Sequence, residues 1–291
     1  MHLFFATLAL SLAMIDSASA QAPEPIRYTL RFPAPHTHYL EVEAVYPTGR
    51  RPQVELMMAV WTPGSYLVRE YQRHVENLMA KADGKTLAVV KPVKNRWRID
   101  TGGAASVTVT YRVYGREMTV RNNWVESAFA MLNGAPTFIT LADRTARAHE
   151  VRLELPAAWR GSATPLMPVA GQAHSYRAED FDTLVDSPII VGNPVVKTFE
   201  VDGKRHHLVL EGDPSLFDAD RAAADVKKIV EAGGGLEHKN AFLTMSGRYT
   251  TRTHRAYVNW LNLVGHEYFH NWNVKRLRPA ELGPFDYETE T

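Results

Sequence analysis

The chain has 291 residues, 45% hydrophobic and 22% charged. That balance fits a folded globular protein and excludes collagen-like, disordered and coiled-coil classes. Lys plus Arg number 33 and Asp plus Glu 32, so no basic excess points to nucleic acid and no acidic tail to a basic partner. Cysteine is absent, which removes disulfides and thiolate metal sites; a metal here has to be held by His and carboxylate. The length suits about two domains.

The first element is an apolar run from Leu3 to Ile15, followed by Ala18-Ser19-Ala20, a small-residue cleavage pattern. The run is shorter than the ~18 residues that span a bilayer. Its flank carries His2 but no Lys or Arg. Residues 1–20 therefore read as a secretory signal peptide. The mature chain is then expected in a periplasm or outside the cell, with no membrane contact after cleavage.

From Ile26 to about Leu210 the pattern is mostly of period two. Arg27–Phe32, Tyr39–Tyr46, Val54–Trp61, Ser106–Tyr114, Val151–Leu155 and His207–Leu210 are the expected strands. Short β-rich runs between Pro, Gly and Asp turns argue for an antiparallel β domain. Trp61, Trp97 and Trp124 read as core. His36, His38 and His74 read as structural or solvated.

After Asp213 the period changes. Asp213-Pro214 is expected to open a helix in which Leu216, Ala219, Ala222, Val226, Ile229 and Val230 recur at helical spacing, stopped by Gly233–Gly235. A second helix is expected over 254–275, with Thr253 as N-cap. Lys275, Arg276 and Arg278 form its cationic end and Pro279 closes it. The division is 21–210 for the β domain and 211–291 for a helix-rich domain. The fold class is α+β.

The second helix carries His266-Glu267-Tyr268-Phe269-His270, an H-E-x-x-H. Spacing of four puts both imidazoles on one helical face, close enough to share a Zn²⁺ at ~2.0–2.1 Å. Glu267 is placed to reach a water on the metal, whose pKa zinc lowers toward ~7, and to act as its general base. Two unrelated histidines on a helix face are the bland alternative.

The neighbourhood is more specific. Val264 to Pro284 reads VGHEYFHNWNVKRLRPAELGP. It resembles the zinc helix of the glycyl aminopeptidase family of gluzincin metallopeptidases. Trp61-Thr62-Pro63-Gly64-Ser65-Tyr66 with Arg69 and His74-Val75 is similar to that family's N-terminal signature, as are Tyr111–Val120, Asn133-Gly134 and Val185-Asp186-Ser187-Pro188. The resemblance covers nearly all of the mature chain. It implies an N-terminal β-sandwich-like domain, a thermolysin-like catalytic domain and zinc-dependent release of N-terminal Gly or Ala from peptides. It also implies that Gly234, Gly235 and Glu237, in the Gly-rich segment ahead of the zinc helix, hold the substrate, with Glu237 on its free α-amine.

Two departures qualify that implication. The family takes a third zinc ligand, a Glu, from a W-x-x-E-G-like segment, and none is present. Glu290, 20 residues after His270, has a separation that other gluzincins use, and Glu281 and Glu288 are also available. Asp286-Tyr287, however, matches the family's linker, which places the true ligand later. The family also has a longer insert between Val230 and Gly233. The expectation is a chain truncated at its C-terminus. The rival function is a catalytically incomplete relative that binds peptides or a protein, and a weaker third is a thermolysin-type endopeptidase.

Overall fold

A computed structural model describes residues 22–62, 65, 67–232, 241–270 and 285–288. Most of it is β structure. The largest sheet has eight strands, in the order Met167–Pro168, Ser175–Ala178, His149–Glu154, Ile26–Arg31, Tyr39–Pro47, Ser106–Tyr114, Val75–Ala82 and Lys85–Leu87. A four-stranded sheet runs Ile139–Leu141, Gln53–Met58, Arg96–Asp100, Val89–Val90. Another runs Gly161–Ala163, Ile189–Gly192, Ala130–Leu132, Trp124–Val125.

The alternation seen in the sequence is the cause. Val107, Val109, Tyr111 and Val113 are all buried, and so are Leu40, Val42, Ala44 and Tyr46 on the neighbouring strand. The expected strand at Val54–Trp61 stops at Met58, although Ala59, Val60 and Trp61 remain buried. The sheet is not wholly antiparallel: Ile26–Arg31 pairs in parallel with His149–Glu154. A parallel pair needs a crossover, and here the crossover contains most of the domain. Trp61 and Trp97 lie in the core as expected, but Trp124 is only half-buried.

Three buried tyrosine hydroxyls of this core are satisfied at one segment, residues 137–139. The Tyr28 and Tyr46 hydroxyls each donate to the Ile139 carbonyl at 2.8 Å. Tyr111 donates to the Thr137 carbonyl at 3.0 Å and accepts from the Ile139 amide. His149, 1% exposed, lies between Tyr28 and Phe181, with Nδ1 3.2 Å from the Tyr28 hydroxyl. Since that hydroxyl already donates to Ile139, the histidine nitrogen carries the proton. Burial, aided by nearby Arg147, pushes the pKa of His149 down to about 4.

A second apolar cluster gathers the rest. The hairpin Val195–Val201/Lys204–Leu210 contributes Val201, Phe199 and Leu208. Of the helices, α1 is the short turn Phe181–Val185 in the β part, α2 is Ala219–Ala232 and α3 is His254–His270. α2 buries Ala222, Val226 and Val230; α3 buries Tyr257, Trp260, Val264 and Tyr268. These are the stripes that helical spacing demands. α2 begins later than expected. Asp213 accepts from the Ser215 amide at 2.9 Å in a local turn, so Asp-Pro-Ser bends the chain and the cap passes to Asp218, which accepts from Arg221 N at 3.0 Å. α3 starts where expected, its Thr253 hydroxyl accepting from Ala256 N at 3.3 Å. The Tyr257 hydroxyl donates to Asp225 at 2.8 Å and joins the two helices. Among the described residues no helix is long and apolar enough to cross a membrane.

Candidate active site

The buried stripe of α3 fixes the rotation of that helix. At 100° per residue, His266 and His270 fall on the opposite side from Tyr257, Trp260, Val264 and Tyr268. His266 is exposed, and Glu267 and His270 are half-buried. The two rings converge: His266 Nε2 lies 2.9 Å from His270 Nε2, with centroids 4.4 Å apart and planes at 88°. Two imidazoles on one tetrahedral zinc, at ~2.0–2.1 Å each, would hold their nitrogens about 3.3 Å apart. A spreading of a few tenths of an ångström admits the ion, so the pair fits a metal. A single shared proton between the nitrogens fits the same distance.

Among the described residues no group of three His, Asp or Glu is placed to hold a metal. Glu288, an available carboxylate by sequence, is paired with Arg96, which also holds Glu55. It belongs to the β domain's surface rather than to the histidines. Gly234, Gly235, Glu237, Glu281 and Glu290 lie outside the described residues, as do Lys275, Arg276 and Arg278.

The signature residues of the β part are architectural. A Cβ on Gly134 would meet the Leu184 carbonyl at 2.4 Å and Val185 Cα at 2.6 Å. Only glycine lets the end of α1 pass there, which brings Asn133-Gly134 and Val185 together. Asn133 donates to the Asn122 carbonyl at 2.6 Å and receives Thr137 on its own carbonyl. His38 bonds the Val125 carbonyl at 2.8 Å, and burial pushes the His74 pKa down. His36 is exposed. Tyr268 is core. The residue pattern did not flag the Trp61–Asp286 contact or the Tyr257–Asp225 bond, because both partners in each are remote in sequence.

The chain matches the model of the Peptidase M61 N-terminal domain over residues 27–193 and that of the M61 glycyl aminopeptidase over 259–291. The chain belongs to the M61 peptidase family. The M61 chain is similar to a solved aminopeptidase N family protein from Idiomarina loihiensis, with a TM-score of 0.84 and 30% identity, covering 91% of this chain and 50% of that one. It thus spans about half the length of that relative. An M1 zinc metallopeptidase from Deinococcus radiodurans, solved with a Tyr-Ser-Ala substrate, gives a TM-score of 0.46 at 10% identity, covering 92% of this chain and 77% of that one. No curated protein matches the chain.

Proposed function

We propose that this M61 peptidase is a zinc-dependent aminopeptidase that releases small N-terminal residues, Gly or Ala, from peptides. The convergence of His266 and His270 at 2.9 Å, with Glu267 beside them on α3, carries the reading. In it the two Nε2 atoms hold Zn²⁺. Zn²⁺ bound there supplies Lewis acidity toward a carbonyl and acidifies water. Glu267 takes the proton from the attacking water and returns it to the departing amine. The buried faces of Val264 and Tyr268 keep the two rings on the free side of the helix. Gly234 and Gly235 let substrate approach the backbone, and Glu237 pairs with its ammonium, a group that an internal peptide bond lacks. The family's third-ligand segment is not found in this sequence, and Glu290, outside the described residues, is a weak candidate by spacing alone.

The domain division at about residue 210, the thermolysin-like character of the helical part, the signal peptide over 1–20 and a periplasmic or secreted location complete the proposal. The alternative is a catalytically incomplete relative that binds peptides or a protein, favoured because no group of three His, Asp or Glu is placed to hold a metal among the described residues.

The test is hydrolysis of a chromogenic glycyl amide by the full chain and by Glu267→Gln. A fall of roughly 10²-fold or more in kcat with zinc retained supports the general base. Wild type that binds zinc without cleaving supports the binding module. Capping the substrate amine with acetyl should cost about 10- to 100-fold in kcat/KM, and equal rates remove Glu237 from its role.

A further inference from the structure

Residues 285–288 follow α3 in sequence yet lie in the core of the β part. Tyr287 is 5% exposed, and Phe285 packs on the same cluster. The Val60 amide donates to the Tyr287 carbonyl at 2.9 Å, and Trp61 Nε1 donates to the Asp286 carbonyl at 2.8 Å. The Trp61 ring meets those of Phe285 and Tyr287, each 5.3 Å away between centroids. The Tyr287 hydroxyl donates to Asp182 in α1, Arg96 pairs with Glu288, and Arg144 lies 3.3 Å from Asp286. Hydrogen bonds, rings and ion pairs thus converge on four residues.

The topology gives the contact its weight. The chain leaves the β core after the strand Ile189–Gly192, builds the hairpin, α2 and α3 around a separate apolar cluster, and re-enters the first core at Phe285. Roughly 90 residues are closed into a loop by this return. Closing a loop of that size removes conformations from the opened state, as a disulfide does. The chain has no cysteine to do it covalently.

We propose that Trp61 and Tyr287 are positioning residues. Their contact staples the unit that carries His266, Glu267 and His270 onto the β domain and so suppresses opening of α3. The staple stands on the contacts above; its consequence for metal binding rests on the peptidase reading.

Hydrogen–deuterium exchange on the full chain tests it. In wild type the Val60 amide is protected. In Tyr287→Ala that protection is lost, and amides of α3 and of the hairpin exchange at least tenfold faster, while the strand Ser106–Tyr114 is unchanged. Tyr287→Phe, which keeps the ring, restores slow exchange in α3. A Val60 amide that exchanges freely in wild type overturns the staple, as does α3 exchange that stays at the wild-type rate once Val60 is unprotected. Should Tyr287→Ala also expose Ser106–Tyr114, Trp61→Phe decides: it removes the indole N–H that holds the Asp286 carbonyl together with part of the ring while leaving an aromatic side chain in the core, and faster α3 exchange with Ser106–Tyr114 still protected supports the staple while an unchanged α3 rate overturns it. In parallel, ZnCl₂ is titrated against a chelating dye. Weaker zinc binding by Tyr287→Ala than by wild type supports the positioning role, and equal binding overturns it. A wild type that binds no zinc sinks the peptidase reading and the positioning role with it, whatever the exchange data say of the staple.

Discussion

Replacing His149 by Phe should change how stability depends on pH. His149 is buried between Tyr28 and Phe181, and its pKa falls from 6.5 to about 4. The folded-state pKa is depressed, so the unfolded chain takes up the proton first. Stability is therefore full above pH 6.5 and is lost as pH falls through 6.5 toward 4. Linkage over that shift gives about 2.5 kcal/mol lost from this one residue between pH 7 and pH 4.5. The phenyl ring of His149→Phe fills the slot but cannot donate to the Tyr28 hydroxyl, at a cost of about 1 kcal/mol at pH 7. Urea unfolding at the two pH values separates the contributions. Wild type should be the more stable at pH 7, and the variant the more stable at pH 4.5. A wild-type-minus-variant difference that is the same at both pH values refutes the reasoning, because it would mean that the imidazole takes up its proton as readily in the folded core as in water.

Two further substitutions probe the two clusters. Gly134→Ala forces a Cβ against the backbone of Leu184 and Val185, and should cost roughly 3 kcal/mol or more, read as a lower urea midpoint at unchanged slope. Tyr257→Phe removes the hydrogen bond to Asp225, whose carboxyl is held below the usual range by Lys228 and by that bond. It should cost roughly 1–2 kcal/mol in the α2–α3 unit, seen as faster amide exchange in both helices with the β strands unaffected.

Much of this architecture is legible in residue pattern. Val107 to Val113 alternate and are buried in alternation, and Thr253 caps α3 where its hydroxyl and the apolar period place it. Asp213-Pro214 misleads because an Asp two residues ahead of a Ser satisfies a local turn as readily as a helix start, and the choice falls to packing further along. The parallel pairing of Ile26–Arg31 with His149–Glu154 leaves no local trace, since a strand carries the same alternation whichever way its neighbour runs. The histidine pair is legible because both histidines lie on one helix, where spacing is geometry. Which carboxylate could complete a metal site there has no such local signal, and Glu288, paired with Arg96, shows that an available carboxylate is not a placed one. Trp61 reads as core and is core, but its indole N–H points to a carbonyl 225 residues away, which no local pattern encodes.

In the proposed peptidase His266 and His270 together hold one divalent ion. This is tested most directly by the zinc content of the purified full chain, wild type against His266→Ala and His270→Ala, after dialysis against micromolar Zn²⁺. One zinc per wild-type chain is expected, and loss of that zinc in either variant, with the far-UV spectrum unchanged. Equal zinc in all three proteins, or none in wild type, contradicts it.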